Sequence, residues 1–228
     1  MKQLPLDYGL APVADLEHFL PDGNEAALAH VWQCVEQPPH EGVPTYLWGE
    51  AGCGKTHLLQ AVVHALALQG ESVGWLDASV TQPQGFNPAW QAVLLDDCHL
   101  LDERQQATAF NWFVNAQTPT QGLPRWVLAA GAVPPADLPV RDDLRTRLGW
   151  GQIHRLQVLA DPERQRVLRL AAQRRGLHLS DEVLSFMVTR FSRDLGSLMQ
   201  LLDHLDRYAL GTQRAITIPL IKSMLENE

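Results

Sequence analysis

The stretch "GEAGCGKT", Gly49 to Thr56, decides the fold. It matches G-x-x-x-x-G-K-[ST] and lies between the apolar run "PTYLWG" and the helical pattern "KTHLLQAVVHALALQG", the strand–loop–helix setting in which this motif is a P-loop. Glycines at Gly49, Gly52 and Gly54 let the backbone turn its N–H groups inward around phosphate, and the positive end of the following helix adds to the field. In this reading Lys55 contacts β- and γ-phosphate oxygens, Thr56 ligates Mg²⁺, and His57 belongs to the nucleotide-binding set. Gly70 closes the helix as a C-terminal left-handed glycine.

Outward from the loop, strands alternate with helices. "SVGWLDA", "AVLLDD", "RWVLAAG" and "QIHRLQVL" read as strands. Their apolar runs are continuous, as in parallel strands buried on both faces. "NEAALAHVWQCVEQ" reads as a helix with Asn24 as N-cap, ended by Pro38 and Pro39, and "DERQQATAFNWFVNAQ" as another starting near Asp102. This alternation predicts an α/β class with a parallel P-loop sheet flanked by helices. The two acids that end "AVLLDD" supply the second half of a phosphate site: Asp96 to hold Mg²⁺ through water, Asp97 to orient or activate an attacking water. His99, close by, is read as a surface residue outside the site.

The period changes near Asp161. "DPERQRVLRLAAQRRG" takes Asp161 as N-cap with proline at the first helical position. Further helices start at Ser180 and near Asp194, and "TIPLIKSMLEN" forms a fourth with Pro219 in its first turn. The stripe Leu195, Leu198, Leu202 and Leu205 is core. The expected division is a tail at 1–14, an α/β nucleotide-binding domain at 15–159 and an all-helical lid at 160–228.

Composition narrows the partners. The chain has 228 residues, 46% of them hydrophobic, and a net charge of -8, which argues for a globular protein and against a broad grip on nucleic acid. Fifteen arginines against three lysines put most cations on planar forks suited to bidentate contacts. Cys34, Cys53 and Cys98 show no metal or disulfide spacing, no run approaches a membrane span, and the first residues lack a signal-peptide layout. A reduced, cytoplasmic setting is expected.

Three of the arginines, Arg141, Arg145 and Arg147, crowd around "DDLRTRLGWGQI". Arginine at a helix end complements the terminal carbonyls, or it reaches a phosphate. P-loop, paired acids, this segment and a helical lid, in this order, resemble the DnaA-related AAA+ ATPases. There "RLGWG" is similar to box VII, and the resemblance makes Arg147 an arginine finger aimed at the nucleotide of a neighbouring subunit. The tail "QLPLDY" is similar to a sliding-clamp-binding hexapeptide, with Gln3, Leu4, Leu6 and Tyr8 in place. No DNA-binding domain is expected beyond the lid, so within this family the chain resembles the Hda-type regulatory inactivators.

That resemblance implies an adaptor holding ADP, or ATP, with Mg²⁺. It would ride on the DNA-loaded clamp and stimulate hydrolysis of ATP bound to DnaA, thereby inhibiting initiation. The implied partners are DnaA and the clamp, with DNA reached indirectly, no membrane, and room for a homo-oligomer. Departures from the family pattern predict weak turnover by the chain itself: Ala132-Val133 stand where sensor 1 often has Asp-Arg, and Gly196 where a sensor 2 arginine is expected, with Arg193 near it. Phe19, Leu20 and Asn24 are candidates for the adenine pocket, and Trp48 and Trp150 for packing around the nucleotide body. The alternatives are an autonomous DNA-stimulated ATPase such as a helicase loader, and a nucleotide kinase, which leaves box VII, the tail and the lid unexplained.

Overall fold

The computed structural model describes residues 14–16, 19, 21–37, 43–191, 195–212 and 216–226. These fall into two compact units that meet in sequence between Val158 and Leu159.

The first unit carries helices α1 (Glu25–Glu36), α2 (Lys55–Leu68), α3 (Glu103–Gln117) and α4 (Asp142–Leu148) around five strands. The strands are β1 (Thr45–Trp48), β2 (Ser72–Leu76), β3 (Trp90–Leu95), β4 (Trp126–Gly131) and β5 (Gln152–Arg155). Every pairing is parallel, in the order β2-β3-β4-β1-β5. Alternation along the strands sorts side chains onto two faces. Leu47, Leu94 and Leu128 pack with α1 and α2, while Tyr46, Val93, Leu95 and Val127 pack with α3 and α4. Both faces are dry, which is why these strands read as unbroken apolar runs.

Local signals set the ends of the elements. Asp102 forms a capping box with Gln105, and the Gln105 amide also reaches the carbonyls of Asp77, Ala78 and Val80 at 3.1–3.4 Å, pinning the loop after β2. Thr45, buried at the start of β1, accepts from Trp126 Nε1 at 3.0 Å and meets His30 of α1 at 2.8 Å. The His30 ring stacks on His154 of β5, centroids 5.0 Å apart, tying α1 to that edge of the sheet.

Two cap assignments need correction. Asn24 stands at the N-cap position of α1 but makes no side-chain cap. It is 3% exposed, and its amide exchanges hydrogen bonds with the Gln157 backbone, donating to the carbonyl at 3.1 Å and accepting from the N–H at 2.7 Å. A buried amide satisfies a peptide group more fully than a helix end would. Asp161 is the first residue of its helix, with Ala160 at the cap, and its carboxylate bonds Arg164.

The second unit is helical: α5 (Asp161–Arg174), α6 (Asp181–Arg190), α7 (Leu195–Thr212) and α8 (Ile218–Glu226). Ser180 caps α6 through the Val183 N–H. Leu168, Leu184, Met187, Leu198, Leu205 and Ile221 form its core, and Leu202 is buried as well. Among the described residues no helix is long and apolar enough to cross a membrane.

Asn24→Asp separates capping from bridging, because Asp caps a helix as well as Asn does but cannot donate to the Gln157 carbonyl. Urea unfolding is expected to show a loss of about 1–3 kcal/mol, the cost of a buried polar group left without its partner.

Candidate functional site

The sheet order places the ends of β1, β4 and β3 side by side, so the loops that leave them converge on one edge, where open α/β sheets bind ligands. The loop after β1 is the P-loop. Gly49 N–H donates to the Gly131 carbonyl across that edge at 3.3 Å, and a Cβ on Gly49 would lie 2.4 Å from the Leu156 carbonyl oxygen. Gly54 takes φ +94° immediately before α2, a backbone state that a side chain disfavours. Lys55 opens α2 buried, and its ammonium donates to the carbonyls of Gly49 at 2.8 Å and Glu50 at 3.1 Å. The cation is thus held within the turn whose amides would cradle a phosphate.

Phe19 covers this turn. Its ring lies 3.3 Å from where a Gly54 Cβ would stand and stacks with His57, centroids 6.0 Å apart. Of the adenine-pocket candidates, Phe19 is therefore beside the P-loop, Asn24 is committed to Gln157, and Leu20 lies outside the described residues.

Asp96 leaves β3 buried at 3% exposure. Burial raises its carboxyl above the ordinary carboxylate range, a hydrogen bond with the Thr56 side chain draws it back, and the Asp97 charge adds to the rise. The two residues predicted to share a metal thus act on one another electrostatically. A hydroxyl and a carboxylate suit Mg²⁺, a hard cation that usually takes its remaining ligands from phosphates and water. Among the described residues no group of three or more His, Cys, Asp or Glu side chains could hold a metal ion. Asp97 has φ 43°, the only positive φ outside glycine among the described residues, and such strain concentrates at functional sites. Its carboxylate is 38% exposed, 3.9 Å from His99 Nδ1.

Beyond β4 the expected sensor positions are apolar. Ala132 and Val133 offer no side-chain donor, and the Val133 carbonyl accepts from the Tyr46 hydroxyl at 2.9 Å. Gly196, exposed near the start of α7, likewise has no side chain to offer. Arg193 lies outside the described residues, as do Gln3, Leu4, Leu6 and Tyr8 of the tail.

The arginine cluster sorts itself by partner. Arg141 grips Asp143 with two bonds, at 2.6 and 2.8 Å, and Arg145 pairs with Asp142. Arg147 bonds no carboxylate or carbonyl among the described residues. Its guanidinium rests over the rings of Phe110 at 5.2 Å, Trp150 at 5.4 Å and Phe113 at 5.9 Å. Trp150, expected near the nucleotide body, is 68% exposed in this role; Trp48 underlies Arg155 at 5.2 Å. The sequence reading missed Phe110 and Phe113. Two aromatics three apart on a predicted helix share a face, but nothing in the sequence said which cation they face.

The model of the Hda lid domain matches residues 161–225 and that of the bacterial DnaA ATPase domain residues 14–76. An uncharacterized protein of Haemophilus influenzae is 33% identical over 98% of both chains. Domain III of the replication initiation protein DnaA from Thermotoga maritima superposes with TM-score 0.77 at 20% identity, covering 96% of this chain and 98% of that one. AMPPCP-bound DnaA from Aquifex aeolicus gives TM-score 0.69 at 22% identity over 90% and 69%. Parallel sheet, P-loop, helical second unit and these relatives agree, and the chain belongs to the Hda/DnaA-related AAA+ proteins.

Proposed function

We propose that the protein is a negative regulator of replication initiation, acting in the cytoplasm: a nucleotide-bound AAA+ adaptor that lends Arg147 to the ATP site of DnaA. One observation carries the reading. Of three clustered arginines two are paired with the acids of the first turn of α4, and the third, at the box VII position, sits on aromatic rings with no carboxylate among the described residues. A guanidinium stacked by its face keeps its N–H edge for phosphate oxygens. When water attacks the γ-phosphorus and ADP leaves, negative charge spreads over the transferred phosphoryl, and an arginine supplied in trans stabilises it by roughly 10³–10⁵ in rate.

The remaining parts take supporting roles. The P-loop and Lys55 hold the adaptor's own nucleotide, with Thr56 and Asp96 sharing its Mg²⁺. ADP is the better fit, because Ala132, Val133 and Gly196 provide nothing to read a γ-phosphate. The tail residues Gln3, Leu4, Leu6 and Tyr8 would dock on the DNA-loaded clamp, bringing Arg147 to DnaA at high local concentration. A second reading, an autonomous DNA-stimulated ATPase such as a helicase loader, draws on the intact Thr56–Asp96 pair and on Asp97. Steady turnover by the isolated protein at rates typical of AAA+ motors would favour it.

The direct test measures hydrolysis of DnaA-bound ATP with loaded clamp. Arg147→Ala is expected to lower the stimulated rate on the order of 10³-fold or to the intrinsic rate of DnaA. Arg147→Lys should recover little, lacking the planar fork; full stimulation by the alanine variant would end the finger reading. Leu4→Ala with Leu6→Ala should abolish clamp pull-down while leaving the folded body unchanged by circular dichroism. Asp96→Asn should weaken Mg²⁺-dependent nucleotide binding yet raise the Tm of the nucleotide-free protein. With the folded pKa of Asp96 above its unfolded value, the native state holds the proton more tightly. Ionising the group therefore costs stability as pH rises from the ordinary carboxylate range through the raised value. The gain in Tm should accordingly be present at pH 8 and shrink on acidification.

A further inference from the structure

We infer that Arg141 is a positioning residue: by occupying Asp143 it keeps Arg147 available to a partner's phosphate. The inference rests on the trans-finger reading and concerns what holds the finger ready.

Asp143 and Arg147 stand four residues apart on α4. A carboxylate four positions before a cation is the spacing and order that helices favour for ion pairs. Left to itself, this helix would close an Asp143–Arg147 pair and neutralise the finger on its own surface. Asp143 is instead engaged by other donors. Arg141 donates from Nε to Oδ1 and from Nη2 to Oδ2, and the Leu144 N–H adds a bond to Oδ1 at 2.8 Å. Such a two-pronged contact is stronger and more directional than a single charged bond.

Arg141 is itself anchored from outside the helix. It precedes α4 at the N-cap position, and its N–H donates to Gln106 Oε1 of α3 at 2.9 Å. Its guanidinium lies over the Phe110 ring at 5.1 Å, the ring that also carries Arg147 at 5.2 Å. Asp142, the other carboxylate of the first turn, is taken by Arg145. Both acids of the segment are therefore spent on arginines other than Arg147, which leaves the aromatic rings as its seat. The Asp143 carboxyl is held below the ordinary range, first by its bonds to Arg141, in keeping with an engaged anion.

The test uses the full-length protein with DnaA-bound ATP on DNA-loaded clamp, titrated so that maximal rate and half-saturation are read separately. Arg141→Ala is expected to lower the maximal rate about two- to threefold at low salt, the occupancy that one helical ion pair produces, with half-saturation little changed. Asp143→Asn should stimulate at least as well as wild type, and Arg141→Ala combined with Asp143→Asn should return to the wild-type rate. Full activity of Arg141→Ala, or a deficit that persists in the double variant, would overturn the inference. Arg147→Ala serves as the separate arm, since unchanged stimulation there removes the finger reading itself. A second measurement follows the Arg147 side-chain Nε–H resonance of ¹⁵N-labelled protein, assigned by its loss in Arg147→Lys. It should move in Arg141→Ala and move back in the double variant; a resonance unmoved in Arg141→Ala also overturns the proposal.

Discussion

The parallel ladder that sets β1 between β4 and β5 is the constraint from which the candidate site follows. Parallel strands end together, so the turn after β1, the acids after β3 and the apolar segment after β4 meet at one edge without any single segment being long. The Gly49 N–H to Gly131 carbonyl bond stitches two of these turns directly. Burial then does the electrostatic work. Asp96 is dry enough for its charge to be costly, and the Thr56 side chain offsets part of that cost. The same edge has no side-chain donors at Ala132 and Val133.

Much of this was legible because the deciding signals are local and periodic. The P-loop needs glycines at fixed offsets, and the strands need unbroken apolar runs. The capping box at Asp102 and the Ser180 cap are written within four residues. The sequence-level expectation of a parallel α/β sheet with a helical C-terminal region holds in the structure and in its AAA+ neighbours. What was not legible involves partners distant in sequence or a competition between equals. Asn24 had two uses, a helix end nearby and a peptide group 133 residues away, and the distant one won because it satisfies both a donor and an acceptor in a buried place.

The arginine cluster shows the same limit more sharply. By spacing alone Asp143 belongs to Arg147, and the pattern "DDLRTRL" reads as ordinary helix-stabilising charge. Pairing from outside the helix overrides this, through a residue whose backbone is fixed by Gln106 on another element. The rings that receive Arg147 come from α3 and from beyond α4. No periodicity links those three aromatics to that cation; packing of α4 against α3 does.

The seat and its guards also obey different physics. Arg147 is held by ring quadrupoles in partly dehydrated contact, whereas its neighbours are held by ion pairs at 36–43% exposure of the arginine side chains. Mobile ions weaken exposed pairs readily and reach sheltered contacts far less. Ionic strength therefore becomes a selective solvent variable for this helix: brine loosens the fence around the guanidinium before it disturbs the cushion beneath it.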